Sequence, residues 1–242
     1  MEGALFPCSK LVLEDLEAVH GISQHDPETW KKWRLSATGL DTSVVQDAGA
    51  WYVRARPGVR QAFAALWGDD LIVSMDAVLL WRPWMHHKAW RPQVEPLHLD
   101  QNPFHKPELE VVQGMVPLLP VTPETGGLQV VPKSHLREAK EALKEERLEL
   151  KHQGDWCPLM FEHPEAQLLL AEAGDLLLWD ARTVHGGVVG GGLDTAGLVR
   201  MAVTLAMVPR GWASEEVLKT RSLEFGARTW KLSGFPVCFE LF

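Results

Sequence analysis

From Leu71 onward the chain is cut by Pro and Gly into short apolar runs: LIVSMDAVLLW, LEVVQGMVPLLPV, LQVVP, AQLLLAE, GDLLLWD and GLVRMAVTLAMVP. Runs of this length, bounded by turn residues, suit strands buried on at least one face. A series of them specifies an antiparallel jelly roll of the cupin-like kind. One charged segment interrupts the series, HLREAKEALKEERLEL from His135 to Leu150, and its mixed Lys and Glu pattern is that of a solvated surface helix. The expected class is mainly β with flanking helices.

The helices lie mostly ahead of the strands. LVLEDLEAVHGI carries a stripe of Leu11, Leu13, Leu16, Val19 and Ile22, and DPETWKKW offers Asp26 as an N-cap with Pro27 after it. PGVRQAFAALWG, residues 57 to 68, starts on a Pro and stops on Gly68, while WASEEVLKTRSLEF reads as a last covering helix. The length suits one domain, residues 1–242. It would comprise a mainly helical buttress over 1–70, a strand core over 71–210 with a helical insertion at 135–150, and a C-terminal helix and tail over 211–242.

Charge narrows the partners. With 24 Lys+Arg against 32 Asp+Glu, the net charge of −8 supplies no footprint for nucleic acid or an anionic membrane, and a small-molecule substrate is expected. Cys8, Cys157 and Cys238 show neither zinc-type spacing nor an even disulfide framework, and read as reduced thiols. No run has the apolar length of a membrane span, and neither MEGALFPCSK nor CFELF carries a targeting signal, so a cytoplasmic protein is expected. The sequence does not specify an oligomeric state.

Two segments carry metal-ligand chemistry. In EPLHLDQNPF, His98 and Asp100 stand two residues apart, so on a strand both side chains point to one face. In GDLLLWDARTVHGG, His185 ends an apolar strand that follows a Gly-Asp turn and is the candidate third ligand. Two His and one carboxylate on one side of an ion leave its other positions open, the pattern of non-haem iron(II) oxygenases. Taken alone, a His-x-Asp also arises by chance among ten His. Arg200, in GLVRMAVTLAMV, has almost only apolar neighbours; a buried guanidinium needs an anion, either a protein carboxylate such as Asp175 or a ligand carboxylate.

These residues fall in four ordered blocks: HLDQNPF, VVQGMVPLLPVTPETGGLQVVPKSH, AGDLLLWDARTVHGG and LVRMAV. In order and spacing they resemble the phytanoyl-CoA dioxygenase family of iron/2-oxoglutarate oxygenases. The likeness runs from about Trp51 to the C-terminal helix. It implies a double-stranded β-helix in which His98, Asp100 and His185 bind iron(II) and Arg200 grips the far carboxylate of 2-oxoglutarate. It also places Gln113 toward the co-substrate. Thr204 shares the strand face of Arg200 and could add a hydroxyl there. The 15-residue interval from His185 to Arg200, widened by GGVVGGGLDTAG, is longer than in familiar members.

The resemblance further implies an enzyme that hydroxylates a small organic substrate while 2-oxoglutarate and O2 become succinate and CO2. Related halogenases replace the carboxylate at the Asp100 position, so hydroxylation is favoured. A non-catalytic metal-binding jelly roll and a cupin-type metalloenzyme that does not use 2-oxoglutarate are the alternatives. LLWRPWMHHKAWRP, residues 79 to 92, could line an entrance or simply pack over the barrel mouth. His86 and His87 point to opposite faces of an extended chain and are discounted as ligands, as are His105 and His135.

Overall fold

A computed structural model describes residues 7–74, 76–159 and 162–226. Two antiparallel sheets face one another. One has the order β1 (Leu40–Asp41), β3 (Val78–Trp81), β11 (Arg200–Pro209), β5 (Val112–Pro117) and β9 (Leu177–Asp180), with β2 (Leu71–Val73) also on β11. The other has the order β7 (Cys157–Pro158), β4 (His98–Leu99), β10 (His185–Val189), β6 (Gly126–Val130) and β8 (Gln167–Leu168). From β3 to β6, and again from β8 to β11, successive strands fall in opposite sheets. This is the winding of a double-stranded β-helix, as the resemblance implies.

Burial explains the apolar runs. On β11, Met201, Val203 and Leu205 point away from the facing sheet, into a core shared with α1 (Pro7–His20), α2 (Ala48–Arg54) and α3 (Pro57–Trp67). Their alternates Arg200 and Thr204 point inward, so both faces of the strand are covered. The other sheet repeats the pattern. Leu97 and Leu99 pack with Val131, Leu150, Cys157 and Val184 on its outer side. With period-two alternation this turns His98 and Asp100 into the space between the sheets, fixing the register that matters for the site.

Local signals behave as their chemistry dictates, with some departures. The Asp26 carboxylate accepts from the Glu28 N–H at 3.1 Å, although the segment it caps, Pro27–Lys32, is a 3-10 helix. Gly68 ends α3 at φ 85°, and Gly126 opens β6 at φ 71°, where a Cβ would strike the Val188 carbonyl. Of the expected stripe in α1, Leu13 and Leu16 are buried and Leu11 is half-buried, whereas Val19 is exposed. The short α2 and the strands β1 and β7 carry no pattern long enough to announce them. Cys8 and Cys157 are free and buried; Cys238 and the tail beyond residue 226 lie outside the described residues. No described helix is long and apolar enough to cross a membrane.

The charged insertion also departs from expectation. It forms α4 (Arg137–Glu146) and then a separate 3-10 turn, Leu148–His152, and it is not wholly solvated. Lys140 is only 6% exposed, and burial pushes its ammonium down from the ordinary 10.5 to about 7, against the pull of Asp180. Between about pH 7 and 10.5 the unfolded chain then holds more protons than the folded one, so this group makes stability rise with pH across that window. Lys140→Met should therefore stabilise the protein by about 1–4 kcal/mol at pH 6. The gain should fade toward pH 10, as read by urea unfolding at both pH values. A gain independent of pH would show that the buried ammonium is not its source.

Candidate metal centre and co-substrate cavity

His98 and Asp100 come from β4 and the residue after it, and His185 sits directly across, paired with His98 in the register of β10. His185 begins β10 and does not end the apolar run before it. That run, β9, stops at Asp180, and a turn closed by the Thr183 N–H on the Asp180 carbonyl carries the chain to the facing sheet. The turn brings together ligands 85 residues apart in sequence.

One ligand atom from each of the three residues lies within 4.8 Å of the other two. Asp100 Oδ1 is 3.6 Å from His98 Nε2, and Asp100 Oδ2 is 3.3 Å from His185 Nε2. Each imidazole is held from behind: His98 Nδ1–H donates to the Pro96 carbonyl at 2.7 Å and His185 Nδ1–H to the Thr183 carbonyl at 2.8 Å. Those bonds select the tautomer whose free Nε2 lone pair points at the shared centre. Burial, with His185 alongside, holds the His98 imidazole below its usual range and so favours the neutral ligand form. Burial alone would raise the Asp100 carboxyl, but its polar surroundings, the two imidazoles and the Gln113 amide that donates to it, hold it below its usual range. Two neutral imidazoles and one carboxylate converging in this way can hold a divalent ion and leave its outer face open.

Behind this centre lies a cavity of about 180 Å³ lined by Leu79, Trp81, Met115, Trp179, Arg200 and Thr204 among others. Arg200 is 4% exposed, its Nε has no partner, and its Nη2 reaches only the Met115 sulfur at 3.4 Å. Its guanidinium sits over the Trp81 ring at 4.5 Å. Burial without a counter-charge pushes it down to about 9, so it stays cationic at neutral pH. Asp175 does not pair with it; that carboxylate accepts from the Glu172 N–H. Arg182 is spent elsewhere, on Asp180 at 2.7 Å and on the Pro107 carbonyl. An unpartnered buried cation facing a metal-binding triad is the mark of a missing anion, and the 5-carboxylate of 2-oxoglutarate fits both its charge and its planar fork.

The other expected residues also line the cavity. Gln113 Nε2 donates to Asp100 Oδ2 at 2.6 Å, leaving its Oε1 buried without a partner. The Thr204 hydroxyl donates to the Ala77 carbonyl at 2.8 Å and accepts the Ala77 N–H at 2.9 Å, so it is already engaged with the lead-in to β3. Of the Trp-rich segment Leu79 and Trp81 line the cavity; Trp84 packs on Trp81, and Trp90 packs on His87 and Trp30. His86 faces Asp194 at 3.1 Å, away from the centre. Sequence reasoning missed Asp76, Glu95 and Trp179 in the lining, and Trp156, half exposed with its ring 6.1 Å from that of His98. Only the β7 pairing, with Cys157 opposite Leu99, brings Trp156 beside the ligand strand.

A double-stranded β-helix with two His and one Asp at one end and an orphan Arg at the other defines a mononuclear non-haem iron oxygenase that uses 2-oxoglutarate. The chain belongs to the phytanoyl-CoA dioxygenase family, whose sequence pattern, described as Phytanoyl-CoA dioxygenase (PhyH), it matches over residues 17–188. It is 30% identical over 226 residues to Ava biosynthesis cluster protein O of Aspergillus versicolor, an alignment covering 85% of this chain and 70% of that protein. Among solved structures it resembles EctD from S. alaskensis, at 15% identity and TM-score 0.49, over 87% of this chain and 71% of that one. It also resembles EvdMO1, at 20% identity and TM-score 0.42, over 66% of this chain; it spans about a third, 32%, of the length of EvdMO1.

Proposed function

We propose that this protein is an iron(II)- and 2-oxoglutarate-dependent dioxygenase that hydroxylates a small organic molecule, with His98, Asp100 and His185 as metal ligands. The observation that carries the reading is Arg200. A non-catalytic jelly roll, or a cupin enzyme without 2-oxoglutarate, would have no use for a fully buried guanidinium that lacks an anion beside a metal-binding triad.

Iron and 2-oxoglutarate, when bound, supply the oxidising chemistry: one oxygen atom of O2 goes to succinate, the other to the substrate C–H bond, and CO2 leaves. The chain's residues do the positioning. Arg200 anchors the far end of the diacid, and Trp81 and Met115 wall it off from water. The Nδ1–H bonds to backbone carbonyls fix the tautomer in which Nε2 of His98 and of His185 can bind the ion, and Gln113 holds the Asp100 carboxylate toward the centre. The cavity of about 180 Å³ is smaller than the roughly 300–1,000 Å³ of drug-sized ligand pockets, so it suits the co-substrate and leaves the substrate to the mouth.

Two measurements test the proposal. Anaerobically iron-loaded protein given 2-oxoglutarate and then O2 should release succinate slowly without added substrate. In a separate assay, 2-oxoglutarate should raise the unfolding temperature of the metal-loaded protein well beyond that of the metal-free protein, because a ligand bound only by the folded state stabilises it. Absence of both effects would overturn it.

A further inference from the structure

The charge of the cavity does not balance once the co-substrate is in place. Its lining holds three carboxylates, Asp76, Glu95 and Asp100, against a single guanidinium, Arg200. On the reading above, the two charges of iron(II) offset the two of 2-oxoglutarate, and Arg200 offsets Asp100. Asp76 and Glu95 remain.

The two differ in their surroundings. The positive charge of the buried Arg54 acts on the Asp76 carboxylate, so a protein cation already answers Asp76. Glu95 has no such answer. Among the described residues its side chain meets no Lys or Arg at ion-pair distance, only His98 Nε2 at 3.9 Å, and that nitrogen belongs to the metal centre. Glu95 is not part of the three-ligand set, and its side chain is 43% exposed, so it stands between the metal centre and solvent. It is carried by the segment that leads into β4, where its backbone carbonyl accepts the Gly187 N–H at 3.2 Å. A substrate group held in the cavity beside the metal centre therefore lies within reach of this carboxylate.

We propose that Glu95 is a specificity-determining residue that takes the cationic nitrogen group of the substrate, so that the natural substrate carries an amine or guanidinium close to the carbon that is oxidised. The proposal rests on the 2-oxoglutarate reading of the same cavity. A carboxylate at a partly desolvated rim favours a cation over a neutral isostere by a charge-assisted hydrogen bond, about tenfold or more in affinity. The net charge of −8 adds a long-range attraction of the same sign.

The test uses zinc-loaded protein with 2-oxoglutarate bound, so that binding is read without turnover. Ligand-observed NMR titrations compare n-butylguanidinium with n-butylurea, which has nearly the same shape and no charge, and the affinity for 2-oxoglutarate is measured in the same samples. The wild-type protein should prefer the guanidinium by about tenfold or more, Glu95→Gln should reduce the preference to about threefold or less, and Glu95→Asp should retain part of it. Equal binding of both probes, binding of neither, or an undiminished preference in Glu95→Gln would overturn the proposal while 2-oxoglutarate binding stands. Failure of 2-oxoglutarate itself to bind would instead overturn the functional reading beneath it.

Discussion

Asp100→Ala should lose divalent-metal binding and, with it, all turnover. Asp100 is the only charged member of the three-ligand set, and its two oxygens face His98 on one side and His185 on the other, so its removal leaves two imidazoles with nothing to balance the ion. Removing an outer partner of a ligand typically costs about 10- to 100-fold in metal affinity; loss of the anionic ligand itself should cost at least the upper end of that range. The fold should survive, because the Asp100 side chain is 27% exposed and no apolar core contact depends on it. Calorimetric titration with iron(II) or cobalt(II) reads the effect, and circular dichroism checks the fold. His98→Ala and His185→Ala should behave alike, and near-normal metal binding by any of the three would remove that residue from the centre.

Arg200→Ala should raise the 2-oxoglutarate concentration needed for half-maximal activity by well over tenfold while sparing metal binding. Cutting one partner from a desolvated, hydrogen-bonded charge pair costs about 2–5 kcal/mol, and each 1.4 kcal/mol is about tenfold in affinity. Arg200 is 4% exposed between the Trp81 ring and the Met115 sulfur, so little solvent screens the pair it would form. Arg182→Ala is the control. Its guanidinium is committed to Asp180 and the Pro107 carbonyl, so the 2-oxoglutarate requirement should not move. An unchanged requirement in Arg200→Ala with a raised one in Arg182→Ala would transfer the role.

What could be read from the sequence was whatever depends on neighbours along the chain. His98 and Asp100 share a face because alternation on a strand is local, and the Leu97 and Leu99 that bracket His98 supply the apolar outer face that holds the register. Arg200 declared itself because an isolated guanidinium in an apolar run demands a partner, and the structure finds that partner missing from the protein. The residues that escaped are those placed by pairing between distant segments. Trp156 reaches the centre only through β7, a strand of two residues, and Glu95 through the path of the chain into β4. His185 reads in the sequence as the end of the preceding apolar run because nothing local marks where the chain leaves one sheet for the other. Lys140 looked like any lysine of a charged helix, since its burial is decided by what packs over it.

The two-faced character of β11 gives that strand an unusual mechanical position. Its odd-numbered residues Met201, Val203 and Leu205 are gripped by the helical layer, and its even-numbered residues Arg200 and Thr204 form the cavity wall, with one residue's rise separating neighbours of the two sets. On the proposed reading, the helices and the guanidinium are thereby coupled through one strand, and a diacid held by that guanidinium would brace the helices in return. The amino-terminal third of the chain, which gives Thr38, Leu40, Asp76 and Leu79 to the lining, would on the proposed reading also help, through this one strand, to hold the co-substrate still.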